Sequence, residues 1–217
     1  MKTKEIFISN NLIANNFIKS FEYPFEILPK INEYIIKLGN KLDDNYVKKD
    51  NNIWIHQSVS LSDSATIVGP CIIDENTIIR PNAYIRENVI IGKNCSVGSS
   101  VEIKNSILYD NVQIAHFNYV GDSILGYKSH LGAGVKISNL KINKENITIK
   151  NNNEIIDTKL KKVGAFLGDN VEVGCNSVLN PGTIILENTL IYPLVNVRGT
   201  IDSNKIVKNE TTIIERV

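Results

Sequence analysis

Aliphatic side chains recur at every sixth residue along most of this chain. Ile55, Leu61, Ile67, Ile73, Ile79, Ile85, Ile91, Val97 and Ile103 keep the step without a miss. Two rungs have five residues, Ile103–Ile107 and Val120–Ile124, so the pattern continues through Leu108, Ile114 and Val120 and then Leu125, Leu131 and Ile137. After an interruption it returns as Leu167, Val173, Leu179, Ile185, Ile191 and Val197. Four places after each aliphatic comes a second inward position that is mostly small, as at Ala65, Cys71, Thr77, Ala83 and Cys95. Such a period belongs neither to an amphipathic helix nor to a simple strand. It fits a short strand plus a corner, three per coil, with coils stacked at the ~4.8 Å spacing of paired strands. Corners favour residues that tolerate positive φ. The position three after each aliphatic supplies them: Asn76, Asn82, Asn88, Asn94, Asn111, Asn170, Asn176, Gly182 and Asn188. The pattern predicts a parallel β-helix from about Ile55 to Ile201, with roughly seven coils.

Two segments fall outside the repeat. Residues 1–52 read as a small helical cap over the open first coil, with Ile27, Ile31, Tyr34, Ile35 and Leu38 on one stripe and Gly39 as C-cap. Residues 140–162 read as a β-hairpin arm with Asn151, Asn152 and Asn153 at its turn. The β-helix is expected to span 53–201, and 202–217 to form a C-terminal tail.

Composition narrows the function classes. Of 217 residues, 24 are Lys or Arg and 23 Asp or Glu, so the net charge is +1 and no global field draws nucleic acid or an anionic membrane. No apolar run is long enough to span a bilayer, and the N-terminus lacks the apolar stretch of a signal peptide. Three unpaired cysteines fit a reducing, cytoplasmic setting. With three histidines, and His56 several coils from the others, no metal site is expected.

The coil geometry brings distant residues into columns. Arg86 and Lys104 fall at the same corner on successive coils, Gly121 lies above Lys104, and Tyr119 stacks over Glu102. Either the two cations splay into water, or a dianion such as phosphate sits between them. His116 lies on an outward corner between Ser99 and Ala133, as a surface histidine or a general base; His130, one layer above Gln113, is placed to share its groove. Cys71 and Cys95 take small inward positions, whereas Cys175 faces outward.

The segments Val97-Gly-Ser-Ser-Val-Glu-Ile-Lys104, Ile114-Ala-His-Phe-Asn-Tyr-Val-Gly-Asp122, Leu131-Gly-Ala-Gly134 with Asn139, and Val163-Gly-Ala-Phe-Leu-Gly-Asp169 with Val178-Leu-Asn-Pro-Gly182 carry a resemblance. They resemble the left-handed β-helix, hexapeptide-repeat acetyltransferase domain of bifunctional N-acetylglucosamine-1-phosphate uridylyltransferase/glucosamine-1-phosphate acetyltransferases and archaeal sugar-1-phosphate nucleotidylyltransferase relatives. The glycine-rich nucleotidylyltransferase signature is not in this sequence.

The resemblance implies an all-β, left-handed prism that forms a homotrimer and an acetyl-CoA-dependent N-acetyltransferase acting on an amino-sugar phosphate. It implies His116 as the base, Arg86, Lys104 and Tyr119 around the sugar phosphate, and Asn139 near the amine. Ala133, Cys175 and Pro193 would line the coenzyme. His130 stands where the family usually has Asn contacting the sugar, and Pro193 replaces a small residue. Backbone N–H groups around Gly132–Gly134 are the expected oxyanion donors. The second reading is a non-catalytic sugar-nucleotide-binding or regulatory relative that partners a separate nucleotidylyltransferase.

Overall fold

The computed structural model describes residues 1–151 and 154–216. Asn152 and Asn153, part of the expected hairpin turn, lie outside the described residues. The chain folds as the expected left-handed parallel β-helix with a helical cap. Successive short strands fall in rotation onto three walls. The first wall runs from Ile53–His56 through Cys71–Ile73, Val89–Ile91, Ser106–Leu108, Ile124–Leu125, Ala165–Leu167 and Thr183–Ile185 to Thr200–Ile201. The second begins at Ser60–Leu61 and ends at Lys205–Val207, so coiling continues beyond Ile201. The third runs from Thr66–Ile67 to Asn196–Val197.

Parallel pairing sets the columns. Ile67, Ile85, Ile103, Val120, Ile137, Leu179 and Val197 align along the third wall, and Val97, Ile114, Leu131, Val173 and Ile191 along the second. The corner asparagines take positive φ throughout, from 55° at Asn94 to 64° at Asn88. Asn is the side chain that bears this region at least cost, which is why the sequence repeats it there. Cys71 and Cys95 are buried as expected, and burial pushes both thiols up to about 12.

The N-terminal segment departs from the expected cap. Only its last part, Tyr46–Lys49, covers the open first coil, and the rest lies along the first wall. The physical reason is a second apolar column on that wall: Trp54, Ile72, Ile90, Ile107, Ile124, Phe166 and Ile184 precede the inward aliphatics, face outward by strand alternation, and are all buried. Each large apolar side chain so covered stabilises the fold by about 1.5–3 kcal/mol. Phe7 stacks on Tyr109 with centroids 5.5 Å apart, and the Ser9 N–H donates to Asp169 at 2.7 Å. At the far end the arm takes over. Ile147 and Ile149 are buried beside Gly182, and the Thr200 hydroxyl donates to the Lys150 carbonyl at 2.7 Å. The arm itself is the expected hairpin, Thr148–Asn151 antiparallel to Glu154–Asp157.

The exposed strand edge of the first coil is covered by Tyr46–Lys49, paired antiparallel to Ile53–His56. At the other end Ile213–Glu215 folds back on Lys205–Val207. Helix in the cap is shorter than the sequence suggests: one nine-residue helix, Ile31–Gly39, plus one-turn helical pieces. Ile31 and Ile35 are buried on that helix and Ile27 just before it, whereas Tyr34 and Leu38 of the expected stripe are half-buried. Gly39 is the last helical residue rather than the cap, which is Asn40. Its missing side chain serves another purpose, since a Cβ there would lie 2.4 Å from the Trp54 ring. Gly39→Ala is therefore expected to lower the unfolding free energy by about 1–3 kcal/mol through overpacking. Urea denaturation reads the change; a parent-like midpoint would mean that the helix is not seated on Trp54.

Candidate functional site

With the first wall sealed, polar side chains reach solvent on the second and third walls and their edges. Two edges flank the third wall. One joins it to the second wall and carries Ser99, His116, Ala133, Cys175 and Pro193 in a single column, two places after the paired aliphatics. The other joins it to the first wall and carries Arg86, Lys104, Gly121 and Ser138 in register. The expected stacking of Arg86 under Lys104, and of Tyr119 over Glu102, is present.

At the lysine edge the two cations differ. Arg86 donates to Glu102 at 2.9 Å, approaches Glu87 at 3.5 Å, and lies over the Tyr84 ring at 5.9 Å. Its guanidinium is thus held by carboxylates on its own rung and the next, which resolves the like-charge problem posed by the sequence without a ligand. Lys104 is half-buried and makes no ion pair or side-chain hydrogen bond among the described residues.

Above Lys104 a hydrogen-bonded set fixes three side chains. Asp122, only 5% exposed, accepts from Asn105 Nδ2 at 2.8 Å and Asn139 Nδ2 at 2.5 Å. Asn139 Nδ2 also donates to the Tyr119 hydroxyl at 3.1 Å. Because a carboxylate only accepts, Asp122 fixes which way the Asn139 amide points and frees its Oδ1 as an acceptor. Tyr119 in turn has its proton free to donate, and burial raises its phenol above the ordinary value, keeping that proton in place. Gly121 makes the arrangement possible: a Cβ there would come within 2.6 Å of the Tyr119 hydroxyl and 2.7 Å of Asn139 Nδ2. Asp122 lay inside the matched sequence segment, but only its burial and bonding assign it this positioning task.

At the histidine edge, His116 is exposed and its ring packs edge-on against Phe117, centroids 5.9 Å apart. It lines a groove of ≈ 430 Å³ together with His130, Arg80, Gln113, Ser96 and Ser99. His130 therefore shares the His116 groove, on the second-wall side, with Nδ1 2.8 Å from Glu172. It is not with the Lys104 group. The backbone donors also sort differently from the expectation. The N–H groups of Gly132 and Gly134 already donate to Val173 and His116 carbonyls at 2.7 and 3.0 Å. Ala133, between them, has no acceptor for its N–H among the described residues. Cys175 and Pro193 are exposed farther along this column.

One chain does not bring the two groups together. His116 and Gly121 are the ends of one crossing of the third wall, five residues apart, at most about 16 Å because the chain turns at His116–Phe117 before the strand Tyr119–Gly121.

Comparison with known proteins agrees with the region of these residues. The domain family described as the GMPPB C-terminal domain matches residues 67–163. A bifunctional sugar-1-phosphate nucleotidylyltransferase/acetyltransferase from Sulfurisphaera tokodaii is 33% identical over 90 residues, 42% of this chain and 22% of that protein. The bifunctional protein GlmU of Methanococcus vannielii is 35% identical over 117 residues, 52% of this chain and 27% of its own length. The chain thus spans about a quarter of the length of these relatives. Among solved structures, the polysialic-acid-specific acetyltransferase NeuO superposes with a TM-score of 0.46 at 14% identity, over 74% of this chain and 88% of that one. The β-helix resembles, in sequence, the hexapeptide-repeat part of bifunctional sugar-1-phosphate nucleotidylyltransferase/acetyltransferases.

Proposed function

We propose that this protein is an acyltransferase that moves an acetyl group from acetyl-coenzyme A to the amine of an amino-sugar phosphate. The observation that carries the reading is the pair of edges on one wall: an unpartnered Lys104 beside the Tyr119–Asn139 set, and His116 at the head of an open column. In this reading Lys104 and the Tyr119 hydroxyl hold the phosphate through charge-assisted hydrogen bonds, with Arg86 behind them. Asn139 Oδ1 accepts from the substrate near its amine. The coenzyme lies along Ala133, Cys175 and Pro193, where an exposed edge with small or ring-closed side chains leaves room for an extended chain.

The chemistry follows from those positions. Neutral His116 takes a proton as the amine nitrogen bonds to the thioester carbonyl carbon. The carbonyl oxygen becomes an oxyanion facing the free Ala133 N–H. Its collapse breaks the carbon–sulfur bond, and His116 returns the proton to the departing thiolate. Because the two groups stand on opposite edges of the third wall in one chain, a complete site requires the lysine edge of one copy to face the histidine edge of a neighbour. That matches the homotrimer implied by the sequence resemblance. The non-catalytic reading, a sugar-nucleotide-binding partner of a separate nucleotidylyltransferase, predicts binding without thiol release. Free thiol released from acetyl-CoA over a panel of hexosamine phosphates separates the two.

His116→Ala is expected to lower turnover by about 10²–10⁴-fold, the usual share of a general base. Thiol release reads it on protein whose melting temperature is unchanged, and undiminished turnover would remove His116 from the mechanism. Asp122→Asn leaves one acceptor oxygen for two donors and sets an NH2 group against either Asn105 or Asn139. The expected result is a rise in KM for the sugar phosphate of about tenfold or more, with kcat changed less. Equal KM values in parent and variant would reduce Asp122 to a purely structural residue.

A further inference from the structure

The inner face of the histidine edge holds a residue that the proposed chemistry does not use. Ala83, Val101, Asn118, Val135, Ser177 and Val195 take the same inward position in successive coils, each just before its strand on the third wall. All are buried, and Asn118, 3% exposed, is the one amide among them. Its Nδ2 donates to the Ala115 carbonyl at 2.7 Å and to the His116 carbonyl at 3.3 Å. Its Oδ1 is buried with no partner among the described residues. Carbonyls only accept, so the two of them fix which end of the amide is nitrogen.

Packing alone does not call for this side chain. Valine fills the same slot one coil below and one coil above, at Val101 and Val135, and leaves no buried acceptor unpaired. Ser177, the other polar member, donates away from its own corner, to the Tyr192 carbonyl of the next coil. Asn118 alone in this column turns back on the corner it belongs to, and that corner presents His116.

The two carbonyls it holds belong to the two peptide planes that flank the His116 Cα. Fixing both planes fixes the direction in which the imidazole leaves the backbone. The His116 carbonyl also accepts from the Gly134 N–H at 3.0 Å, which ties the histidine corner to the layer that offers the free Ala133 N–H. The next carbonyl, that of Phe117, accepts from the Lys136 ammonium. Phe117 itself holds a φ of 61°, where the adjoining coils place Ser100 and Gly134, so this corner is also the one that most needs bracing.

We propose that Asn118 is a positioning residue for His116, an amide inside the prism that aims the imidazole on its outside. The proposal rests on His116 being the base of the acetyl transfer inferred above, and adds the group that sets its direction. The cost is one unpaired buried oxygen, accepted at this corner and at no other in the column.

Asn118→Val and Asn118→Thr test it, because the two replacements share a shape and only threonine keeps a donor. In the valine variant kcat for thiol release should fall about ten- to a hundredfold, with KM for the sugar phosphate within about twofold of the parent's. Its melting temperature should match or exceed the parent's, since water can reach the carbonyls of this exposed corner. The threonine hydroxyl can bond a carbonyl three residues back, and should restore kcat by at least about threefold over valine. Carbon-13 spectra of the histidine rings follow His116 without turnover, its resonance assigned by its loss in His116→Ala. That resonance should shift or broaden in the valine variant and move back toward the parent position with threonine. Parent-like kcat in Asn118→Val, equal losses in both variants, an unmoved His116 resonance, or a valine variant that melts clearly below the parent would each reduce Asn118 to a core residue and overturn the proposal, with acetyl transfer untouched. A parent chain that releases no thiol while the resonance still moves sinks the acetyl-transfer reading and leaves Asn118 as the residue that sets the imidazole.

Discussion

The parallel ladder register is the constraint on which the rest depends. Each coil contributes two- and three-residue strands that hold no structure alone, and their backbone groups are satisfied only by the coil below and the coil above. Slipping a strand by one residue would turn its aliphatic outward and its polar neighbour inward. Corner geometry prevents this, because a positive φ must fall at a fixed place and asparagine marks it. The same register that closes the core puts Arg86 beneath Lys104, Tyr119 over Glu102, and Ala133 next to His116. Site geometry and core packing are one constraint seen from the two faces of a strand.

A triangular prism offers three equivalent walls, and this sequence makes them unequal. From Trp54 to Ile184 along the first wall, an outward apolar residue precedes the inward one, and the cap and arm cover the column. The cap consequently specifies which walls remain available for ligands. Asp169 is part of that arrangement. Its carboxylate accepts from the backbone of Ser9 in the cap and Tyr127 in the prism, although burial raises its pKa above the ordinary value. A raised carboxyl pKa means the folded state favours the neutral acid, so its ionisation costs stability as pH rises through that window. The two backbone donors offset part of that cost.

Much of this was legible in the sequence because it depends on backbone period. Inward aliphatics, corner asparagines, five-residue corners and residue columns all follow from counting. The location of the cap did not, although its signal was present: Ile72, Ile90, Ile107, Ile124, Phe166 and Ile184 form a period of their own, one residue out of phase with the core. Counting the inward column alone treats that set as chance. Side-chain detail was less accessible still. The pairing of Arg86 with Glu102 and Glu87 depends on which rotamers reach, and the spent N–H groups of Gly132 and Gly134 depend on ladder bonds several residues away. Gly39 read as a helix stop because that is its commonest use, whereas its neighbour across the interface, Trp54, sets its role here.

The division of polar residues between two edges has its own consequence. If one chain carried a whole site, Lys104, Tyr119 and His116 would converge on a single concavity, and they do not. Each half is instead well built where it stands: Asp122 orients Asn139 and Tyr119 on one edge, while the other presents an exposed imidazole beside an unspent backbone donor. Strict orientation of groups that face nothing across from them is difficult to explain by folding alone, since burying the Asp122 carboxylate carries a desolvation cost that an apolar residue would not. Phe117 and Leu194 add to the same point. Both are strongly exposed and hold positive φ, at 61° and 63°, in corners where the chain mostly uses asparagine. Bulky apolar side chains in that conformation are strained, and their exposure leaves them little packing return within the chain beyond the edge-on contact of Phe117 with His116. They lie on the histidine edge, one place beyond His116 and Pro193. A partner surface that buried them would supply the missing return and, in the same contact, bring a lysine edge toward a histidine edge.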